Sequence, residues 1–214
     1  MLNFGVPGYT IVQGLRQFES DVAKLKPAEV IIAYGWNDHW LAKGGLPDED
    51  RHPPRTEPSP LMRLRLVQGL WAVIGRAGAS ENTLAAPERV PLPSYRSYVE
   101  RFIAEVQKLG AQPIVVAFPS GLADGDFPEY LIGAGFTRSA TEAITEHKAY
   151  AAAAQQAALH ALVPFIDLQP AFEGPDGVLP GLFRADKIHM TDAGNARIVD
   201  ALDRYLIVRM ANSE

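Results

Sequence analysis

The sequence predicts an α/β fold, a three-layer α/β/α sandwich built on a parallel sheet, from two alternating patterns. Short apolar runs rich in β-branched residues are typical of buried parallel strands, and three occur, at Glu29–Tyr34, Pro113–Phe118 and Val163–Asp167. The segments between them repeat apolar residues every three or four positions, as amphipathic helices do. Alternation of the two patterns indicates a parallel sheet with helices on its faces.

The predicted helices are, in chain order, Ile11–Leu25, Tyr95–Leu109, Ser139 to about Leu162, and Thr191 to about Leu206. Gly110 follows the second of them, at the position just past a helix C-terminus where glycine is common. Ser139 and Glu142 form a capping box, and Thr191 caps the last helix. Each helix therefore has a local start or stop signal of its own.

Residues 41–93 interrupt the alternation, so we expect a single domain over residues 1–214 with an insertion at about 41–93. The insertion contains a charged, proline-rich loop and a predicted helix, Leu61–Ile74. That helix either covers the functional site as a lid or packs on the core as an extra helix.

Composition excludes several partner classes. The chain of 214 residues carries a net charge of −5 and a pI near 5.6, which argues against a nucleic-acid partner. It has no cysteine and no set of His, Asp and Glu with metal-ligand spacing, so we expect no metal and no cofactor. No apolar run is long enough to span a membrane. The compartment stays open: the protein is expected to be soluble, and periplasmic or secreted if an upstream leader exists.

Asp186 and His189 stand three residues apart, just ahead of a predicted helix. At that spacing the carboxylate can accept the imidazole Nδ1–H, fix the tautomer and stabilise the imidazolium. The pair is equally compatible with a surface Asp and His near a helix start.

Two further motifs carry groups that can bind an oxyanion. Asn37 follows the first apolar run directly, and ligands bind beyond the carboxyl ends of strands in open parallel sheets. Its amide can donate to a developing negative charge. Gly8, between Pro7 and a helix start, is free to adopt a positive φ and present its backbone N–H. Each motif is also compatible with an ordinary turn.

The chain thus contains, in this order, Asn3-x-Gly5-x-x-Gly8-x-Thr10, Gly35-x-Asn37-Asp38 and Asp186-x-x-His189. These motifs resemble blocks II, III and V of the SGNH (GDSL-type) hydrolases, and the resemblance covers essentially the whole chain. It implies a flavodoxin-like parallel sheet and serine-based hydrolysis or transfer of acyl groups. It also implies roles: His189 as general base, Asp186 as its orienting carboxylate, and Gly8 N–H and Asn37 as oxyanion donors.

The family's block I, Gly-Asp-Ser, occurs nowhere in the chain. By the resemblance, block I lies on a first strand between a strand ending near Gly5 and the strand Glu29–Tyr34. We therefore expect that this first strand is missing from an N-terminally truncated chain, and that the nucleophilic serine lies upstream. An upstream segment or a second chain would fill the gap. Ser120 lacks the strained turn that exposes a nucleophile, so we interpret it as a loop residue.

Other residues leave alternatives open. Asp38, His39 and Trp40 follow the asparagine, and His39 and Trp40 either line the acyl or leaving-group pocket or pack under the insertion. His147 is interpreted as a solvated helix residue. The expected substrate is a small-molecule or glycan ester. Two alternatives to an ester hydrolase remain: a catalytically inactive SGNH-fold binding module, and a glycan O-acetyltransferase or acetylesterase.

Overall fold

The computed structural model describes residues 1–51 and 85–211, and its main sheet confirms the predicted strands. The sheet is parallel, with strand order β1-β2-β3: Glu29–Ile32 (β1), Gln112–Ala117 (β2) and Phe165–Asp167 (β3). Ile32 lies beside Val115, and Val115 lies beside Phe165. A separate antiparallel hairpin, which the sequence patterns did not predict, joins β4 (Glu173–Gly174) to β5 (Gly177–Val178).

The described helices also follow the predicted segments, with one addition and one change. They are α1 (Ile11–Gln17), α2 (Leu92–Lys108), α3 (Tyr130–Gly133), α4 (Ala140–His160) and α5 (Asp192–Ala211). The short α3 is the addition. The first predicted helix changes geometry partway, since α1 continues as a π-helical turn (Phe18–Val22) and a 3₁₀ turn (Ala23–Leu25). That stretch ends at Lys26, whose left-handed φ of 49° stops the helix.

Both predicted N-caps are present, but the Ser139–Glu142 capping box is only half formed, because the Glu142 carboxylate accepts the N–H of Arg138 at 3.2 Å and not that of Ser139. Ser139 Oγ accepts the N–H of Glu142 at 3.1 Å, and Thr191 Oγ1 accepts the N–H of Gly194 at 3.2 Å. Gly110 closes α2 with a φ of 82° and donates to Gln107 O at 2.9 Å. These contacts form within a few residues, which is why sequence patterns locate them.

The core lies on both faces of the sheet, which gives the three layers. On one face α1, α2 and α4 bury apolar side chains against β1 and β2 around Leu15, Phe102 and Ala157. On the other face, Ile198 and Leu202 of α5 pack over Ile114, Val116 and Leu168. The fold is therefore an α/β sandwich with a parallel sheet, as predicted.

Strand β1 lies at an edge of the sheet, and no other strand among the described residues pairs with its outer side. Residues 1–5, where the resemblance implies the end of a strand, form no strand and are exposed. That expectation is wrong, because a strand exists only with a neighbour to which its backbone can hydrogen-bond. The side chain of Ile31 is 40% exposed on this edge strand. An apolar open edge of this kind is a template for pairing with another strand.

The described flanks of the predicted insertion pair with each other. Leu41 and Glu88 form an antiparallel bridge, and Arg89 N donates to Trp40 O at 2.7 Å. The predicted helix Leu61–Ile74, with its lid or packing role, lies outside the described residues.

Candidate active site

The Asp186–His189 pair forms a hydrogen-bonded dyad in the turn before α5. His189 Nδ1 lies 2.9 Å from Asp186 Oδ2, while Asp186 Oδ1 accepts the backbone N–H groups of Ile188 at 2.9 Å and His189 at 2.8 Å. The turn places Lys187 in the left-handed region, with a φ of 61°. One carboxylate oxygen thus holds the backbone, and the other orients an imidazole whose side chain is 73% exposed.

Asp186 is held in its ionised form. Partial burial raises the pKa of this carboxyl, but the hydrogen bonds from His189 N and Ile188 N outweigh that effect, and the pKa lies below its ordinary value. An ionised acceptor at Nδ1 favours the tautomer that carries its proton there. His189 Nε2 is then the nitrogen that can take up and release a proton.

The turn that carries Asp186 and His189 (the dyad turn) is hydrogen-bonded to the loop that follows β2. Gly121 N donates to Lys187 O at 2.9 Å, and the Lys187 ammonium pairs with Asp126. Gly121 leaves no room for a side chain, since a Cβ there would lie 2.8 Å from the Phe183 ring and 3.0 Å from Lys187 O. This close approach sets where the dyad stands relative to the carboxyl end of the sheet.

Gly8 and Asn37 lie in two turns that contact each other. Gly8 has a φ of 84°, a left-handed conformation that favours glycine, and its N–H finds no acceptor among the residues that the structure describes. Asn37 Nδ2 donates to Tyr9 O at 3.0 Å. That bond uses one of two amide hydrogens and fixes which end of the amide faces the Gly8 turn. The second hydrogen has no acceptor among the described residues.

Asp38 is fully buried and ties these two turns together. Its Oδ1 accepts the N–H of Ile11 at 2.8 Å, and its Oδ2 accepts the N–H of Gly35 at 2.8 Å. Burial raises the pKa of Asp38 to about 7, although both backbone hydrogen bonds act to lower it. The carboxyl therefore joins the start of α1 to the turn after β1, beneath the surface of the site.

His39 and Trp40 also lie under the turn. They are 4% and 5% exposed, and their ring centroids are 4.4 Å apart. Trp36 stacks over His147 with centroids 4.1 Å apart, so the interpretation of His147 as solvated is wrong: it is 8% exposed. Burial lowers the pKa of both histidines, that of His147 to about 4. One ring nitrogen of each, His39 Nε2 and His147 Nδ1, is buried without a hydrogen-bond partner in the described structure.

The turn that carries Asn37 and the turn that carries the Asp186–His189 dyad both contact the loop after β2. Trp36 Nε1 donates to Pro119 O at 3.3 Å, two residues before Gly121 contacts the dyad turn. Within residues 1–51 and 85–211, no direct hydrogen bond joins Gly8 or Asn37 to His189. Asn37 after β1 and this loop after β2 both lie at the carboxyl end of the sheet, where ligands bind in open α/β folds.

No serine in the described part of the chain is hydrogen-bonded to His189. Ser120 is engaged in shaping its own loop. Its Oγ accepts the N–H of Leu122 at 3.1 Å, and its backbone N–H and carbonyl bind the Gln169 side chain at 2.7 and 3.2 Å. These contacts match its interpretation as a loop residue.

Sequence reasoning missed two charged residues beside Gly8. Asp48 is 3% exposed and forms an ion pair with Arg89 at 2.6 Å, across 41 positions of sequence. Both lie in the predicted insertion at about 41–93, Asp48 in its charged, proline-rich loop, and charged residues in such segments are ordinarily solvated. No local pattern distinguishes this pair from its charged neighbours.

Among residues 1–51 and 85–211, no group of three or more His, Cys, Asp or Glu side chains is arranged to hold a metal ion. None of the helices searched over the same residues is both long and apolar enough to cross a membrane.

Comparison with known proteins points to one family. The family model for the GDSL-like lipase/acylhydrolase family matches residues 1–197. No curated protein matches the chain.

Solved structures with the same fold include two bacterial enzymes. A lipase/acylhydrolase from Enterococcus faecalis is 20% identical, with a TM-score of 0.59 over 97% of this chain and 75% of that one. A catalytic mutant of an acetylxylan esterase from Geobacillus stearothermophilus is 19% identical, with a TM-score of 0.59 over 95% of this chain and 70% of that one. At these identities the likeness establishes the fold alone.

Proposed function

This chain belongs to the GDSL-like lipase/acylhydrolase family, and we propose that it carries the general-base and oxyanion-binding part of a serine ester hydrolase. The observation that carries the proposal is the dyad geometry: His189 Nδ1 is held 2.9 Å from Asp186 Oδ2, and the imidazole is exposed. An imidazole oriented in this way can exchange protons at Nε2 with a nucleophile and a leaving group.

In the proposed reaction, a serine hydroxyl attacks the ester carbonyl and passes its proton to His189 Nε2. The carbonyl oxygen becomes an oxyanion, which the Gly8 N–H and the free amide hydrogen of Asn37 stabilise. His189 then donates the proton to the departing alkoxide as the tetrahedral intermediate collapses. Water repeats the sequence on the acyl-serine, which releases the carboxylic acid and restores the serine.

We further propose that the nucleophilic serine comes on a strand that pairs with the open edge of β1, from an upstream segment or a second chain. Two observations support this. The outer side of β1 has no partner strand among the described residues, and Ile31 exposes apolar surface there. In addition, no described serine contacts His189. A parallel strand on that edge would bring its own carboxyl end to the same end of the sheet as Asn37.

A chain extended at its N-terminus by one strand ending in Gly-Asp-Ser tests the proposal. We expect it to hydrolyse p-nitrophenyl acetate and to be labelled covalently by a fluorophosphonate, whereas a Gly-Asp-Ala extension does neither. His189→Gln in the extended chain is expected to lower kcat on the order of 10³-fold or more. His160→Gln is the matched control, since that ring lies exposed at the end of α4. Absence of both turnover and labelling with the serine present would refute the hydrolase proposal.

Two other functions have support and can be separated from it. A non-catalytic binding module of the same fold is supported by the absence of a serine hydrogen-bonded to His189 among the described residues, and the intact mass of the native protein tests whether a Gly-Asp-Ser segment is present. A glycan acetyl ester as substrate is suggested by the acetylxylan esterase fold relative. Acetyl transfer to a glycan would show as turnover that rises when sugar alcohols are added.

A further inference from the structure

The carbonyl oxygen of Gly8 is held by a guanidinium group. Arg89 Nη1 donates to Gly8 O at 2.9 Å, while Arg89 Nη2 donates to Asp48 Oδ2 at 2.6 Å. Arg89 Nε donates to the same carboxylate oxygen at 3.2 Å. The planar fork of an arginine can make these bonds together, which a lysine ammonium cannot do with the same fixed geometry.

The carboxylate that orients Arg89 is itself fixed. Asp48 is 3% exposed, and its Oδ2 also accepts the hydroxyl of Thr10 at 3.1 Å. The backbone of the two charged residues is joined as well, because Asp48 N donates to Arg89 O at 2.6 Å. Thr10 N donates to Gln13 Oε1 at 2.7 Å, which fixes the start of α1. The Gly8–Thr10 stretch is therefore bound at both ends by one polar network.

Gly8 needs this restraint more than another residue would. It has no side chain to pack, and glycine adopts positive and negative φ with similar ease. The fixed carbonyl oxygen belongs to the Gly8–Tyr9 peptide unit. Together with the turn hydrogen bond from Tyr9 N to Val6 O at 3.2 Å, it restricts rotation about the φ and ψ of Gly8, on which the direction of the Gly8 N–H depends. Misplacement of a catalytic group by about 1 Å can reduce a rate about 100-fold.

We propose that Arg89, oriented by Asp48, is a positioning residue that locks the Gly8 turn with its N–H directed at the oxyanion. The proposal rests on the proposed function for the role of Gly8 itself, but the restraint on the turn can be measured without any turnover. In this proposal Arg89 acts through its hydrogen bond to Gly8 O and has no part in the chemistry itself.

Backbone ¹⁵N relaxation of the chain tests the restraint directly. In Arg89→Gln we expect the order parameter of the Gly8 amide to fall from about 0.85 to below about 0.6, with the amide of Asp38 unchanged. Arg101→Gln is the matched control, because it removes a surface pair with Glu19 in which Arg101 is 56% exposed. A Gly8 amide that stays as rigid in Arg89→Gln as in the parent, or one that loosens equally in Arg101→Gln, overturns the proposal.

If Arg89→Gln does not fold, the order parameter of the Gly8 amide in Arg89→Lys tests the restraint instead. A lysine keeps the charge without the fork, so an order parameter between those of a rigid and a loose turn supports the proposal, and an unchanged one overturns it. In the serine-extended chain, Arg89→Gln is expected to lower kcat about 10- to 100-fold with KM within about twofold, and Arg89→Lys to restore part of the loss. An unaltered kcat overturns the positioning role. An extended parent chain without turnover defeats the proposed function instead, and the relaxation data still decide whether Arg89 restrains Gly8.

Discussion

Replacing His147 by glutamine isolates the effect of burying a neutral histidine behind the turn that follows β1. His147 Nε2 lies 3.0 Å from Phe118 O, while its Nδ1 is buried without a partner in the described structure. A glutamine amide can keep the hydrogen bond to Phe118 O, but it has no proton to gain in this pH range. The variant therefore removes the titration and retains much of the contact.

Burial lowers the pKa of His147 from 6.5 to about 4. Each tenfold change in proton affinity is worth about 1.4 kcal/mol, so the neutral ring contributes roughly 3 kcal/mol to the pH dependence of stability. Because the folded pKa lies below the ordinary value, this contribution is complete above about pH 6.5 and is lost as the pH falls toward 4. The lowered pKa of His39 acts in the same direction.

Urea unfolding followed by tryptophan fluorescence, at several pH values between 4 and 7.5, gives the difference in unfolding free energy between His147→Gln and the parent. We expect the parent's advantage to shrink by about 3 kcal/mol between pH 7 and pH 4. Asp38 titrates in both proteins and cancels in this difference. His160→Gln, on the exposed end of α4, is the matched control for the loss of a histidine. A flat difference for His147→Gln would refute the burial of a neutral ring.

Three further changes have expected outcomes. Gly14→Ala places a Cβ 1.9 Å from the Tyr34 hydroxyl and should lower the unfolding free energy by about 1–3 kcal/mol in urea titrations, whereas Gly133→Ala meets nothing within 4 Å and should not. The pKa of Asp38 is about 7 in the folded protein against an ordinary 3.8, so its carboxyl makes the protein less stable as pH rises from about 4 to 7. Asp38→Asn should abolish this contribution to the pH dependence of the unfolding free energy in urea titrations, and an unchanged pH dependence would contradict the raised pKa. Asp186→Asn in the serine-extended chain should reduce kcat on the order of 10³- to 10⁴-fold because the tautomer of the dyad is lost, and unaltered kinetics would show that Asp186 does not orient His189.

The sheet, the long helices and their caps could be predicted from sequence because their signals are local. The apolar run at Glu29–Tyr34, the glycine at position 110 and the serine at position 139 each act on neighbours within a few residues. The contact between Asp186 and His189 spans three positions, so their spacing alone predicted that they could meet. The hydrogen bond from Asn37 to Tyr9 O, which brings Asn37 beside the Gly8 turn, depends on two turns that the fold brings together, and only the resemblance to a family paired Gly8 with Asn37.

The rest depends on contacts that no local pattern encodes. His147 lies on an alanine-rich helix whose faces differ little in hydrophobicity, and its burial is decided by Trp36 and His39 from a distant turn. The Asp48–Arg89 pair closes across the insertion, and charged residues there look solvated in sequence. The missing first strand predicts the open edge of β1. The absence of a strand before Gly8 is not predicted, because it depends on that same missing neighbour.

The pairing of Asp48 with Arg89 also bears on how such a chain can diversify. With Arg89 N bound to Trp40 O and Asp48 N bound to Arg89 O, the two ends of the intervening segment are fixed to each other and to the scaffold. In general, doubling the length of a loop whose two ends are fixed costs only about 0.6 kcal/mol in closure entropy. Segments of very different length and composition can therefore be grafted between these two residues without displacing Gly8. Under the proposed function, the residues between them can change while the Gly8 turn, which would bind the oxyanion, keeps its geometry.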